Sequence, residues 1–115
     1  MRFVLSVVFC LLGGAVLAAC PGQTQLEMNT CAAADYQRAD AALNAAWGPA
    51  KSFADGAGTG GQLLDAQRKW IAFRDAACLA EADLYRGGSI RPLVWHSCLT
   101  RLTQRRTEDL LNMWY

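Results

Sequence analysis

Histidine is almost missing from this chain: His96 is the single one in 115 residues. No carboxylate stands three or four residues from it, so an acid–base pair built on His96 has no second member. His96-Ser97-Cys98 therefore reads as a helix-surface imidazole beside a cysteine, not as a nucleophile or a metal site. No Cys-x-x-Cys pair is present, which removes the common redox and haem-attachment motifs. The carboxylates closest in sequence, Glu108 with Asp109 and Glu81 with Asp83, fall at steps that do not face each other on a helix, so they cannot share a proton. The glycine-rich run DGAGTGG, residues 55–61, lacks the lysine of a phosphate-binding loop. These absences argue against an enzyme, a resident metal and a cofactor. Charge of one sign is missing as well. Eleven Lys and Arg face ten Asp and Glu, and discounting Arg2, which lies in an expected leader, leaves ten of each. A nucleic-acid binder would show a basic excess, and a neutral chain exerts little long-range pull on a charged partner.

What is present begins with MRFVLSVVFCLLGGAVLAAC. One arginine, an apolar run of about 17 residues and then small residues form the pattern of a secretory signal peptide. The run is short for a membrane span of roughly 20 residues, and Gly13-Gly14 interrupts it. Residues 1–19 are expected to be removed, leaving a chain from residue 20 to 115 in the periplasm or outside the cell, where disulfides persist. Leu17-Ala18-Ala19-Cys20 also resembles a bacterial lipobox, in which Cys20 would carry a lipid and tie the protein to a membrane. The remaining cysteines are Cys20, Cys31, Cys78 and Cys98, an even number that favours two disulfides over a lipid on Cys20.

The interior is patterned for three helices. The first spans about 24–47, or to 54, opened by a capping box at Thr24 and Glu27; Asn29 is a second candidate cap. Its apolar stripe is Ala32, Tyr36, Ala39, Leu43, Ala46 and Trp47 at helical spacing. Gly48-Pro49 is expected to kink or end it. The second helix spans about 61–85 and the third about 90–113, with Pro92 tolerated in the first turn. The third carries Trp95, Leu99, Leu102, Leu110 and Met113 on one face, with Arg106 among them. The expected architecture is all-α: a small antiparallel three-helix bundle with long helices, stapled by disulfide bonds.

The chain is organised around Gln67–Cys78, QRKWIAFRDAAC. Leu63, Leu64, Gln67, Trp70, Ile71, Arg74 and Cys78 share a helical face. A guanidinium in such a stripe is costly unless paired. Counting back from the glycine turn places Asp40 at the level of Arg74, so an Asp40–Arg74 ion pair is expected. The turn between the second and third helices centres near Gly87-Gly88. Cys78 lies about nine residues before it and Cys98 about ten after, which in antiparallel helices puts both at one height, as a bridge requires. Cys20–Cys31 is the default second bridge; Cys31 with Cys78 or Cys98, and Cys20 with the remaining one, is the alternative. Trp47 and Trp70 read as core, whereas Phe73 lies off the stripe and, if exposed, marks a partner surface.

Four motifs carry a family resemblance: TQLEMNTC (24–31), ADAALN (39–44), QRKWIAFRDAAC (67–78) and GGSI (87–90) followed by the helix with Cys98. In this order they resemble the LprI-type lysozyme inhibitor domain, over nearly all of the chain after the leader. The resemblance implies an exported helical domain that binds a protein, with lysozyme as the implied target. The alternative function is a non-inhibitory structural or stress module of the cell envelope that binds another envelope protein. The candidate contact site is the turn Arg86-Gly87-Gly88-Ser89-Ile90-Arg91. Its glycines let backbone approach a partner closely, and its arginines and Ser89 offer donors to the two carboxylates of a glycoside hydrolase cleft. The bland reading of the same residues is a plain helix–helix turn.

Overall fold

The computed structural model describes residues 22–114. The expected leader over residues 1–19, the fate of Cys20, and Tyr115 lie outside the described residues, as does the side chain of Trp114. Three long helices make up the fold: α1 (Gln25–Gly56), α2 (Gly60–Ala82) and α3 (Arg91–Leu111). Short 3-10 turns follow α2 at Asp83–Tyr85 and α3 at Asn112–Trp114. Among the described residues there is no strand, and no helix is long and apolar enough to cross a membrane. The all-α bundle expected from the helical stripes is the observed architecture.

Helix α1 starts where the capping pattern places it. The Glu27 amide donates to Thr24 Oγ1 at 3.1 Å, while the Glu27 carboxylate accepts from the amide of Gln23, one residue earlier than a standard capping box. Asn29 is not a cap; it lies a full turn inside the helix. Cys31, Ala32, Ala39, Leu43, Ala46, Ala50 and Ala54 form the buried seam of α1. Steps of three and four residues keep that seam on one side of a helix. Five of these seven are alanines, which let a neighbouring backbone approach closely.

That neighbour is mainly α3, which packs more extensively on α1 than on α2. The two run parallel: Tyr36 meets His96 near one end, with ring centroids 6.3 Å apart, and Ala46 and Ala50 meet Leu110 near the other. Helix α2 runs antiparallel to both. The core has two centres. One gathers Leu43, Ala46, Ala50 and Leu110, with Trp47, Leu63, Trp70 and Met113 packed around them. The other gathers Cys78, Cys98 and Leu99, with Tyr36, Trp95 and Leu102 around them. Trp47 and Trp70 thus belong to the core's edge, partly buried.

Of the two expected limits of α1, 47 and 54, the shorter fails: Pro49 does not end the helix, which continues to Gly56. Proline removes one backbone hydrogen bond and costs about 3 kcal/mol in a helix interior. The segment beyond it nevertheless buries Ala50 and Ala54 completely, so packing holds the turns that propensity alone would release. In consequence, the glycine-rich run is not a loop throughout. Only Ala57–Thr59 join α1 to α2, with Gly58 at φ +83° as the one residue that needs the left-handed region. Thr59 makes no side-chain cap; its hydroxyl donates instead to Ala54 O at 3.5 Å.

Helix α2 ends at Ala82, three residues before the expected limit, and α3 begins at Arg91, one residue late. Glu81 and Asp83 account for the first difference: negative charge near a helix C-terminus opposes the macrodipole. The chain tightens there into the 3-10 turn and reverses at Gly87, φ +81°.

Candidate partner-binding site

The reversal between α2 and α3 is built in layers. At its base the Cys78 and Cys98 sulfurs are bonded, with Cα atoms 5.4 Å apart. Both cysteines are buried. The equal-height argument from the glycine turn is therefore met. Beside the bridge, Arg101 of α3 donates to both Glu81 oxygens, at 3.0 and 2.8 Å, and lies 3.7 Å from Cys98 Sγ. Cys78, Glu81 and Cys98 bring ligand-type atoms together, but the two sulfurs are consumed in the disulfide and cannot serve as thiolate ligands.

Cys31 is also disulfide-bonded. Because Cys78 and Cys98 hold each other, the alternative pairing of Cys31 with either of them is ruled out. The expected partner, Cys20, lies outside the described residues.

Above the bridge sits Asp83, which the sequence marks only as a carboxylate unable to share a proton with Glu81. Its Oδ1 accepts from Arg91 Nε and Nη2, at 3.0 and 2.8 Å, and its Oδ2 accepts from Arg86 Nη2 at 3.2 Å. One carboxylate thus ties the two flanks of the turn. The Gly88 amide donates to Tyr85 O at 2.8 Å, and a Cβ at Gly88 would stand 3.1 Å from that oxygen. From α1, Asn29 Nδ2 donates to Ser89 O at 2.9 Å, a contact 60 residues apart in sequence. Gln25 Nε2 donates to Asn29 Oδ1, which orients the Asn29 amide. The i, i+3 spacing of Asp83 and Arg86 was a readable signal. The Asn29 tie was not, because no local pattern connects it to residue 89.

The six predicted residues Arg86, Gly87, Gly88, Ser89, Ile90 and Arg91 form one continuous turn at one pole, all exposed except the half-buried Arg91. What the sequence did not single out is the apolar character of the same pole. Leu84 is 79% exposed, and Tyr85 and Ile90 are exposed as well. A leucine open to water beside a cationic turn is an unfavourable surface for an isolated molecule.

The hydrogen bonds from Arg91 and then Arg86 hold the Asp83 carboxyl below its ordinary value. A folded-state pKa below the unfolded one means that the clamp contributes at every pH above the unfolded value of about 3.9 and is lost as pH falls through the lower folded value. Amide protection at residues 86–91, taken relative to the intrinsic exchange rate at each pH, is therefore expected to hold from neutral pH down to about 4 and to fall only below it. In Asp83→Asn the same loosening appears already at neutral pH. Hydrogen exchange by NMR checks both, and a loosening midpoint above 4 in the parent chain contradicts the clamp.

Farther down the bundle, Arg74 does not take Asp40 as its partner. Arg74 Nε and Nη2 pair with Asp75 Oδ1, both at 3.0 Å, and Nη1 lies 3.5 Å from Thr103 Oγ1. The guanidinium also stacks on Trp70 and Tyr36, its carbon 5.1 and 5.6 Å from their centroids. A flat cation against two aromatic faces gains attraction without an ion pair. That is why a neighbour in sequence and two rings suffice. Burial pushes the Tyr36 phenol above its ordinary value, opposed by the Arg74 charge. Asp40 and Arg74 line the same groove but remain apart. His96 Nδ1 lies 2.9 Å from Pro92 O, so it donates to that carbonyl, and no carboxylate orients the ring.

Comparison with known proteins matches the chain's sequence to a named family. The family described as "Lysozyme inhibitor LprI" matches residues 18–110. An uncharacterized protein of Rhizobium meliloti (strain 1021) is 36% identical over 99 residues, an alignment covering 76% of this chain and 71% of that protein. No solved structure matches the chain. The family match takes in all three helices, the disulfide and the pole between α2 and α3, and on that evidence the chain belongs to the lysozyme inhibitor LprI family.

Proposed function

We propose that this chain is an exported, non-catalytic inhibitor that binds lysozyme by covering the enzyme's cleft with the pole at residues 84–91. The observation that carries this reading is a cationic, apolar turn exposed at the end of the bundle yet fixed by three separate ties. The disulfide, the Asp83 clamp and the Asn29–Ser89 hydrogen bond each restrain it. A restrained loop loses less conformational entropy on docking than a free one. Arg86 keeps most of its surface in water, with a side chain 79% exposed. Its Nη2 is held by Asp83 Oδ2, and its remaining donors can turn to the paired carboxylates of a glycoside hydrolase, while Leu84 and Tyr85 supply the apolar area that anchors an interface.

The test is inhibition of lysozyme by the purified mature chain, followed by Arg86→Glu. The expected result is inhibition at micromolar protein or below, weakened at least tenfold in the variant. A tenfold loss corresponds to about 1.4 kcal/mol, within the range for a charge reversal at an interface. No inhibition at micromolar protein removes this reading.

One observation favours a second reading, a non-inhibitory envelope module that binds another envelope protein. Phe73 is 61% exposed on the outer side of α2, away from the pole. An unaltered lysozyme activity together with loss of an envelope partner in Phe73→Ser would select it. Export, and attachment to a membrane through a lipid on Cys20, are decided by mass spectrometry of the native N-terminus.

A further inference from the structure

That reading leaves unused a concave feature away from the pole. Helices α1 and α2 touch less than the other helix pairs, and between them lies a groove of about 340 Å³. That volume falls at the lower end of the range of ~300–1,000 Å³ found for small-ligand sites. Its apolar lining is Leu43 and Trp47 from α1 and Leu64 and Ile71 from α2.

Its polar groups are arranged at two levels. At one level, Asp40 stands on the α1 wall with no hydrogen bond or ion pair to any described residue, facing a groove that Arg74 lines from α2. At the other, Gln67 is only 7% exposed, and its Oε1 accepts from Arg106 Nε at 2.7 Å. That bond fixes which end of the amide is committed, and Gln67 Nε2 is left without a partner among the described residues. Arg68 stands beside it at the rim, exposed. The groove therefore presents an open carboxylate at one end and open donors at the other.

We propose that this groove binds a short apolar peptide, about three residues long, with free termini. The ammonium sits on Asp40, and the first carbonyl accepts from Arg74. The terminal carboxylate accepts from Gln67 Nε2 and Arg68, and the central side chain lies on Trp47, Leu64 and Ile71. Length follows from the spacing. Six or seven residues of α2 separate the two levels, about 9–10 Å at ~1.5 Å per residue, which about three extended residues span. A single amino acid is too short to reach both levels, and a fatty acid brings no cation for Asp40. This inference stands apart from the inhibitory reading, because the groove lies on the side of the bundle below the pole.

The probe is the tripeptide Ala-Leu-Ala, titrated into the disulfide-intact mature chain and followed by calorimetry and by NMR shifts of residues 40–47 and 64–74. Its N-acetylated, C-amidated form and free leucine serve as comparisons. The free tripeptide is expected to bind at least tenfold more tightly than either. Asp40→Asn should reduce that affinity about tenfold, and Ile71→Arg should abolish it. Ile71 is 40% exposed, so the longer side chain is accommodated at the groove mouth; an unchanged helical signal and unfolding midpoint verify the fold. Absence of saturable binding up to millimolar tripeptide overturns the proposal. So does equal affinity for the capped peptide or for leucine, or an Asp40→Asn variant that binds like the parent. Lysozyme inhibition measured on Ile71→Arg keeps the two readings separate, since it is expected to be unchanged whatever the peptide result.

Discussion

The double variant Cys78→Ala/Cys98→Ala is expected to lose about 3 kcal/mol of unfolding free energy. The bond joins residues 20 apart, and closing a loop of that length restrains the unfolded chain by roughly this amount in the chain-entropy model. The native state adds to the loss. Both sulfurs are buried against Leu99, with Tyr36, Trp95 and Leu102 around them, so alanines leave part of that space unfilled. For a domain whose total stability is of the order of 5–15 kcal/mol, the change is a large fraction. Urea unfolding of parent and variant measures it, with the Cys31 disulfide left intact in both. Simple reduction would not isolate the effect, because it opens that second bond too. The variant should also lose rigidity at residues 84–91, since the bond anchors the base of the turn. A loss below 1 kcal/mol would show that Arg101–Glu81 and helix packing already hold the pole, leaving the disulfide a minor tie.

Much of this could be read from the chain because the relevant physics is local or periodic. Helical stripes gave three helices. Equal counts from Gly87-Gly88 gave the Cys78–Cys98 bridge, since rise per residue converts directly into height. The Thr24 cap was legible for the same reason: donor and acceptor are three residues apart. What escaped depends on contacts that periodicity does not encode. Pro49 was read by its propensity, and the burial of Ala50 and Ala54 overrode it. Arg74 was matched to Asp40 by level, but level does not fix the direction of a long side chain. Trp70, one turn away on the same helix, and Tyr36 drew the guanidinium elsewhere. The pole's residues were legible from their glycines and arginines. Their rigidity was not, because it rests on Asp83 reaching Arg91 across the turn and on Asn29 reaching from another helix.

The two arginines in the apolar rows illustrate how the bundle tolerates charge. Arg74 is 7% exposed and answered by Asp75, Thr103 and two rings. Arg106 is answered by Gln67 through Nε, while its Nη2 is buried without a partner among the described residues. A buried donor left unmade costs about 1–3 kcal/mol. Gln67 is therefore a structural link between α2 and α3 as well as a wall of the groove. It lines the groove between α1 and α2, the least packed of the three helix pairs, and its second amide end is left open there.

Leu110→Ala is expected to destabilise the fold by about 2–5 kcal/mol, the usual cost of truncating a buried leucine. Leu110 is completely buried and stands at the centre of the cluster with Leu43, Ala46 and Ala50. Two of those three partners are alanines, and all three are fixed on a long helix, so they cannot readily move inward to fill the space, which points to the upper half of the range. The effect should be uneven along the chain. Residues 50–56 of α1 lie beyond Pro49, whose missing N–H interrupts the helical ladder at the carbonyl of Ala45, and depend on α3 for their order. Truncating Leu110 withdraws that support, so amide exchange should rise first at 50–56 and only later at 31–46, where Leu99 and the disulfide cluster remain. Denaturant unfolding gives the total, and exchange resolved by residue gives the distribution. Uniform acceleration along α1 would mean that the segment after the proline is held by its own helical bonds, and that the account of Pro49 given by packing is incorrect.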